Sequence, residues 1–267
     1  EPRELDREAR AELRSLPKGA ADTVARHLVA AGRLLDTDPR TALEHALAAR
    51  VLAGRIAAVR EAVGLAAYHS GEWQTAIIEL RALRRLSGAD EYLPVLADCE
   101  RALGRPEKAL EIAAAADTRR LAVETRMELL IVAAGARRDL GQAAAAVLTL
   151  QVPELRSASA EPWVARLRYA YADALAAQGR VEEAREWFVA AAEADHDEVT
   201  GADERLLELD GVVLSGIDQD ESEPDEAEPD ADAVQLDRPA VGAGRDHPAP
   251  GGPEHRVGDP TGAEPDA

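Results

Sequence analysis

A helix hairpin too small to bury its own apolar face recurs about five times along this chain. That recurrence constrains the fold more than any other feature. One copy is YADALAAQGRVEEAREWFVAAAEAD, from Tyr171 to Asp195. Leu175 and Ala176 end a first helical pattern, and Gly179 makes the turn. Ala184, Phe188 and Ala191 then recur at helical spacing, so the second helix folds back on the first. Such a unit is stable only when neighbours cover it, so its copies must stack.

Residues 57–85, AAVREAVGLAAYHSGEWQTAIIELRALRR, repeat the pattern. Gly64 sits inside the first helix and Gly71 at the turn, followed by Trp73, Ala76, Leu80 and Leu83. Ala97, Gly104, Ala109, Ala113 and Ala116 take the same places in a third copy, and Ala134, Gly141, Ala146 and Leu150 in a fourth. These residues resemble the tetratricopeptide repeat family. Its pattern has a small residue in the first helix, a glycine seven positions on, an aromatic two later, and then Ala, an aromatic or Leu, and Ala at steps of three, four and three. The last place holds Leu83 where the family has Ala. LPKGAADTVARHLVAAGRLLD, ELLIVAAGARRDLGQ and ERLLELDGVV are similar to an actinobacterial branch of that family. The second-helix alanines Ala42, Ala76, Ala109, Ala146 and Ala184 are 34, 33, 37 and 38 residues apart, against a family period of about 34. The last two connections are therefore stretched, near Asp117 to Arg120 and between Pro153 and Pro162.

The flanks differ from the repeats. Residues 1–19 hold one amphipathic leading helix over 3–16, with Leu5, Ala9, Leu13 and Leu16 on a stripe that Pro17 to Gly19 stops. The repeat domain spans 20–198. Its first hairpin lacks the turn glycine and uses DTDP at 36–39, where Asp38 before Pro39 makes an N-cap. A cap helix over 199–214, with Leu206, Leu207 and Leu209, hides the last apolar face. Residues 215–267 contain no aromatic, eight Pro, seven Gly, 15 acidic and 3 basic side chains. Too little apolar surface can be buried there to offset ordering entropy, so a disordered acidic tail is expected. The expected architecture is all-α: about five hairpins stacked as a solenoid, with terminal cap helices and that tail. The resemblance implies a right-handed superhelix.

The net charge of −20 divides into −12 on residues 215–267 and −8 on the rest. A body this acidic argues against general capture of nucleic acid, which needs a net basic face to displace counterions. Cys99 is the only cysteine, so no intrachain disulfide forms and a reducing compartment is the easier home. No apolar run approaches the roughly 18 residues of a membrane span, and no charged-then-apolar leader opens the chain. A cytoplasmic location without membrane attachment is expected.

The resemblance also implies where a partner binds: along the inner wall made by the first helix of each repeat. Position by position this nominates Glu61, Leu65, Tyr68 and His69, then Asp98 and Arg101, then Ile131 and Arg138, then Tyr169 and Asp173. A mixed surface with tyrosines suits peptide recognition. Some family members clamp a terminal carboxylate with Lys and Asn from these helices. Here Lys18 and Lys108 are the only lysines, asparagine is absent, and the matching first-repeat places hold His27 and Ala31, so that chemistry is not expected.

Arg50, Arg55, Arg60, Arg81, Arg84 and Arg85 form the best candidate patch for an anionic partner. Solvated helix faces usually look the same, and neighbouring Glu61 and Glu79 can pair with these arginines for little net gain. No histidine or cysteine spacing builds a metal site and no phosphate-binding loop occurs. No cofactor and no enzymatic activity is expected. The leading expectation is a protein–protein interaction scaffold holding a peptide or protein partner. The alternative is an RNA- or ribosome-associated solenoid using the arginines, and a third reading is self-association through an exposed end face.

Overall fold

The structure is a computed structural model that describes residues 2–211. The tail expected over 215–267 and the end of the cap segment lie outside the described residues. Among the described residues there are twelve α-helices and no strand. After a 3-10 turn at Pro2–Glu4 comes α1 (Arg7–Leu13), then α2 (Lys18–Leu34) with α3 (Pro39–Ala53), and α4 (Ala57–His69) with α5 (Trp73–Ser87). Next are α6 (Leu93–Ala102) with α7 (Pro106–Ala115), α8 (Val123–Asp139) with α9 (Ala143–Leu150), and α10 (Pro162–Ala177) with α11 (Val181–Ala192), before α12 (Ala202–Leu209). Each helix packs on its partner in the pair. The pairs pack in chain order, α3 on α4, α5 on α6, α7 on α8 and α9 on α10.

Four of the five turns within pairs are built alike. Gly71, Gly104, Gly141 and Gly179 have φ of +76°, +69°, +72° and +78°. After each, the next N–H donates five residues back: Glu72 to Ala67, Arg105 to Glu100, Gln142 to Arg137 and Arg180 to Leu175. This six-to-one bond satisfies a carbonyl that a helix end otherwise leaves open, and it requires the left-handed residue that glycine adopts without strain. The first pair turns at DTDP as expected. The Asp38 side chain accepts from the Thr41 N–H at 3.1 Å and Pro39 opens α3.

The core is strung along the chain. One group of buried residues joins Leu13, Val24, Leu28 and Val59, another Ala42, Ala46 and Val63, a third Leu80, Leu93, Leu96 and Leu129, and a fourth Met127, Trp163, Leu167 and Phe188. Alanines at the pair contacts are fully buried, Ala42, Ala76, Ala109, Ala146 and Ala184 all at 0% exposure. Gly64 shows why the first helix needs a small residue: a Cβ there would lie 2.5 Å from Leu80 Cδ2. The longer connections carry their own structure. A 3-10 turn at Pro153–Arg156 buries Leu155, and Arg168 holds this loop by donating to the carbonyls of Leu155, Ser157 and Ala190.

The leading helix is shorter than expected. Asp6 accepts from the Ala9 N–H at 2.7 Å and starts the helix at Arg7, so Leu5 precedes it. After Leu13 the bonds from Arg14, Ser15 and Leu16 tighten to three-residue spacing before Pro17, as expected of a chain that cannot stay helical next to proline. Gly19 belongs to α2 rather than to a stop. At the other end α12 packs on α11, with Leu206 and Leu209 against the core and Leu207 exposed.

Candidate functional site on the first-helix face

The even-numbered helices α2 to α10 are the first members of the pairs, and α2 packs on α4, α6 on α8 and α8 on α10. Five of the ten nominated residues, Tyr68, Asp98, Arg101, Arg138 and Asp173, meet one another on α4, α6, α8 and α10. Tyr68 donates to Asp98 Oδ2 at 2.9 Å. Asp98 also accepts from Arg101 at 3.0 Å, and Arg101 reaches on to Asp139 at 2.8 Å. Arg138 pairs with Asp173. Glu61 accepts from the Tyr92 hydroxyl at 2.6 Å. The result is a ladder of polar contacts from α4 to α10. Arg101 can cross α8 because Gly135 leaves room, with a Cβ there only 2.6 Å from its guanidinium carbon.

The rest have other surroundings. Tyr169 lies edge-on to Phe188 with ring centres 5.2 Å apart, and Ile131 packs on the same C-terminal core. His69 is exposed, its Nδ1 4.0 Å from Asp36. Burial, with the Asp98 carboxylate beside it, pushes the Tyr68 hydroxyl well above its ordinary range, and burial followed by Asp173 raises Tyr169. Both stay neutral donors at physiological pH.

Glu61 and Leu65 border the leading segment. Leu5 and Ala9 stand over a hollow of about 180 Å³ whose floor is Leu28, Ala31, Leu35 and Leu65, with Glu61 at its edge. Burial raises the Glu61 carboxyl; the Tyr92 hydrogen bond opposes this, and Glu91, Asp6 and Glu12 add to it. The folded chain thus binds this proton more tightly than the unfolded chain. The group favours folding below its unfolded pKa, and that contribution is lost as pH rises through the raised folded value. Glu61→Gln keeps an acceptor for Tyr92 and removes the charge. It is expected to melt above the wild type at neutral pH, with the gain fading toward about pH 4, where the glutamate is protonated. Paired thermal melts check this, and a lower melting point at neutral pH would show that the charge is needed.

The arginine patch is largely occupied by carboxylates of the same chain. Arg50 and Arg60 both grip Glu79, which is 1% exposed. Arg81 donates to Glu100 at 2.9 Å, with Arg105 on its other oxygen at 3.4 Å, and Glu100 is 2% exposed. Arg84 pairs with Asp90 at 2.7 Å. Arg55 and Arg85 are exposed, with no carboxylate partner among the described residues. Glu79 is thus a clamp joining α3, α4 and α5 rather than the weak surface partner expected for it, and Glu61 bonds a tyrosine rather than an arginine. Arg81, Arg84 and Arg85 line one wall of a cleft of about 550 Å³, with Leu93, Leu96 and Ile112 inside it.

Cys99 is buried, its thiol pushed up to about 12 by burial, and so lacks the thiolate character that reactivity needs. Among the described residues no group of three or more His, Cys, Asp or Glu side chains could hold a metal ion. No helix among them is long and apolar enough to cross a membrane.

These features define an all-helical protein of paired helices packed in chain order, with polar contacts linking α4, α6, α8 and α10. No known family model matches the chain, and a search of curated proteins finds no match.

Proposed function

We propose that the chain is a non-enzymatic scaffold, a right-handed solenoid of tetratricopeptide type, whose first-helix face holds a peptide or protein partner. The observation carrying this reading is that the face already holds an extraneous segment. Residues 2–13 belong to no repeat, yet they lie across α2 and α4 with Leu5 and Ala9 over a hollow bordered by Glu61 and Leu65. The core strung along the chain supports the solenoid, because each pair buries its apolar face only against its neighbours. Four of the six candidate patch arginines are spent on internal carboxylates, which weakens the case for a phosphate-rich partner.

The test is affinity capture on the full chain with and without nuclease, at about 50 and 200 mM salt. A complex held by phosphates weakens steeply over that range, whereas a peptide on this face does not. Capture of one protein that survives both treatments is the expected result. Loss of every partner on nuclease treatment would overturn the reading in favour of nucleic acid.

A further inference from the structure

The leading segment fits its seat imperfectly in two respects, and both misfits describe what would fit better. The seat is real. Leu13 is 4% exposed against Val24, Leu28 and Val59. Glu4 pairs with Arg33 of α2 at 2.6 Å, and the Glu12 carboxylate accepts from the Ala58 N–H at the start of α4 at 3.1 Å. Those contacts anchor the two ends of the segment.

Its middle leaves a space uncovered. Ala9, between Leu5 and Leu13 on the stripe, is itself only 6% exposed, and its methyl is too short to cover the apolar surface beside it. The hollow of about 180 Å³ beside it is floored by Leu28, Ala31, Leu35 and Leu65. A leucine at the place of Ala9 would bury further methylene groups, each contributing about 0.8 kcal/mol.

The charged flank is also mismatched. On the other side of α1 a second hollow of about 540 Å³ is bordered by Glu8, Glu12, Glu61 and Glu91, with no basic side chain among its lining residues. The segment thus presents carboxylates to carboxylates, and a like-charge contact weakens docking rather than aiding it. Burial of Glu61 makes that opposition harder to screen.

We infer that residues 2–13 are a displaceable occupant of the first-helix face. The partner that displaces them is an amphipathic helix with apolar residues at i, i+4 and i+8, bulky at the middle position, and a basic flank facing Glu61 and Glu91. This rests on the scaffold reading above and deepens it. The leading segment then serves two ends at once: it covers Leu28 and part of Leu35 and Leu65 in the free chain, and it sets a threshold of complementarity that a partner must exceed.

The probe is a synthetic peptide of residues 2–14 carrying Ala9→Leu and Glu8→Arg, added to the full chain. Amide hydrogen exchange followed by mass spectrometry is the readout. Without peptide, residues 9–13 are expected to exchange at least about 10-fold faster than the centre of α4, since a displaceable segment opens without global unfolding. With peptide, exchange in residues 2–13 of the chain should rise further while α4 stays protected. The unmodified peptide should bind at least about 10-fold more weakly, the factor set by about 1.4 kcal/mol. A Leu13→Glu chain, whose own segment is loosened, should bind the modified peptide at least about 10-fold more tightly than wild type. Equal protection of residues 9–13 and α4, or no change in exchange at saturating peptide, would overturn the proposal and make the segment a permanent cap. If a partner is nevertheless captured on α8 and α10, the scaffold reading stands and only the displacement fails. If the peptide displaces the segment but no protein is ever captured, the scaffold reading is the one that fails.

Discussion

Replacing Arg50 and Arg60 together by methionine is expected to destabilise the chain by about 3–5 kcal/mol. Glu79 is 1% exposed and both of its oxygens are held by these two arginines, so the double replacement leaves a buried charge without compensation. In a body of roughly 200 residues this loss corresponds to a melting temperature lower by about 10 °C. The reciprocal change, Glu79→Gln, should cost less. It strands the guanidiniums, whose side chains are 38% and 25% exposed and can turn to water. Their lost charge-assisted hydrogen bonds contribute about 1.5–3 kcal/mol. Adding Glu79→Leu to the double variant should recover most of the stability, because an apolar group of similar volume can replace a buried ion pair at little cost. Chemical denaturation of the three variants checks the order. Equal losses for the arginine and glutamate variants would show that Glu79 is solvated after all.

Phe188→Ala is expected to cost a further large amount, about 3–5 kcal/mol. Phe188 is the only phenylalanine, it is fully buried, and Tyr169 stands edge-on to it. The Arg205 guanidinium of α12 lies 6.0 Å from the ring centre, so the same side chain joins α10, α11 and α12. Because the pairs contact one another in chain order, the loss should be local. Hydrogen exchange in α10 to α12 should accelerate far more than in α2 to α5. A uniform acceleration along the chain would show a single cooperative core instead of a row of joined ones.

The turns were legible from sequence because their physics is local. Gly71, Gly104, Gly141 and Gly179 each occupy a position where only a left-handed residue closes the helix end, and the spacing of the alanines located the pair contacts. The first-helix residues were legible as positions but not as partners. Tyr68 meets Asp98 30 residues on, Arg138 meets Asp173 at 35 and Arg101 meets Asp139 at 38. Those separations follow the repeat period with its stretched connections, so the pairs could have been sought at that distance, but the choice of rotamer belongs to the folded chain.

Glu79 was legible as a partner for the arginines, but its burial, and Glu100 altogether, were missed for a different reason. Each sits where an apolar residue belongs, Glu79 between Ala76 and Leu83, and Glu100 three places after Ala97. A charged residue on an apolar stripe is the signal. Its reading depends on arginines from other helices, Arg50, Arg60, Arg81 and Arg105, which periodicity alone does not bring together. Gly135, inside α8, carried a similar signal of close approach, and Arg101 is what approaches. The leading helix was overextended because its stripe runs through Leu16, whereas the Asp6 cap and Pro17 confine the helix to seven residues.

The central claim is that a partner sits on the face shared by the first helices. A photo-crosslinking amino acid placed at position 65 or 169 of the full chain tests it against the same residue at position 148, where Leu148 is 69% exposed on the second helix α9. Crosslinks from 65 and 169 to the same protein, with none from 148, are the predicted result. Crosslinks from 148 alone would contradict it and place the binding surface on the opposite helices.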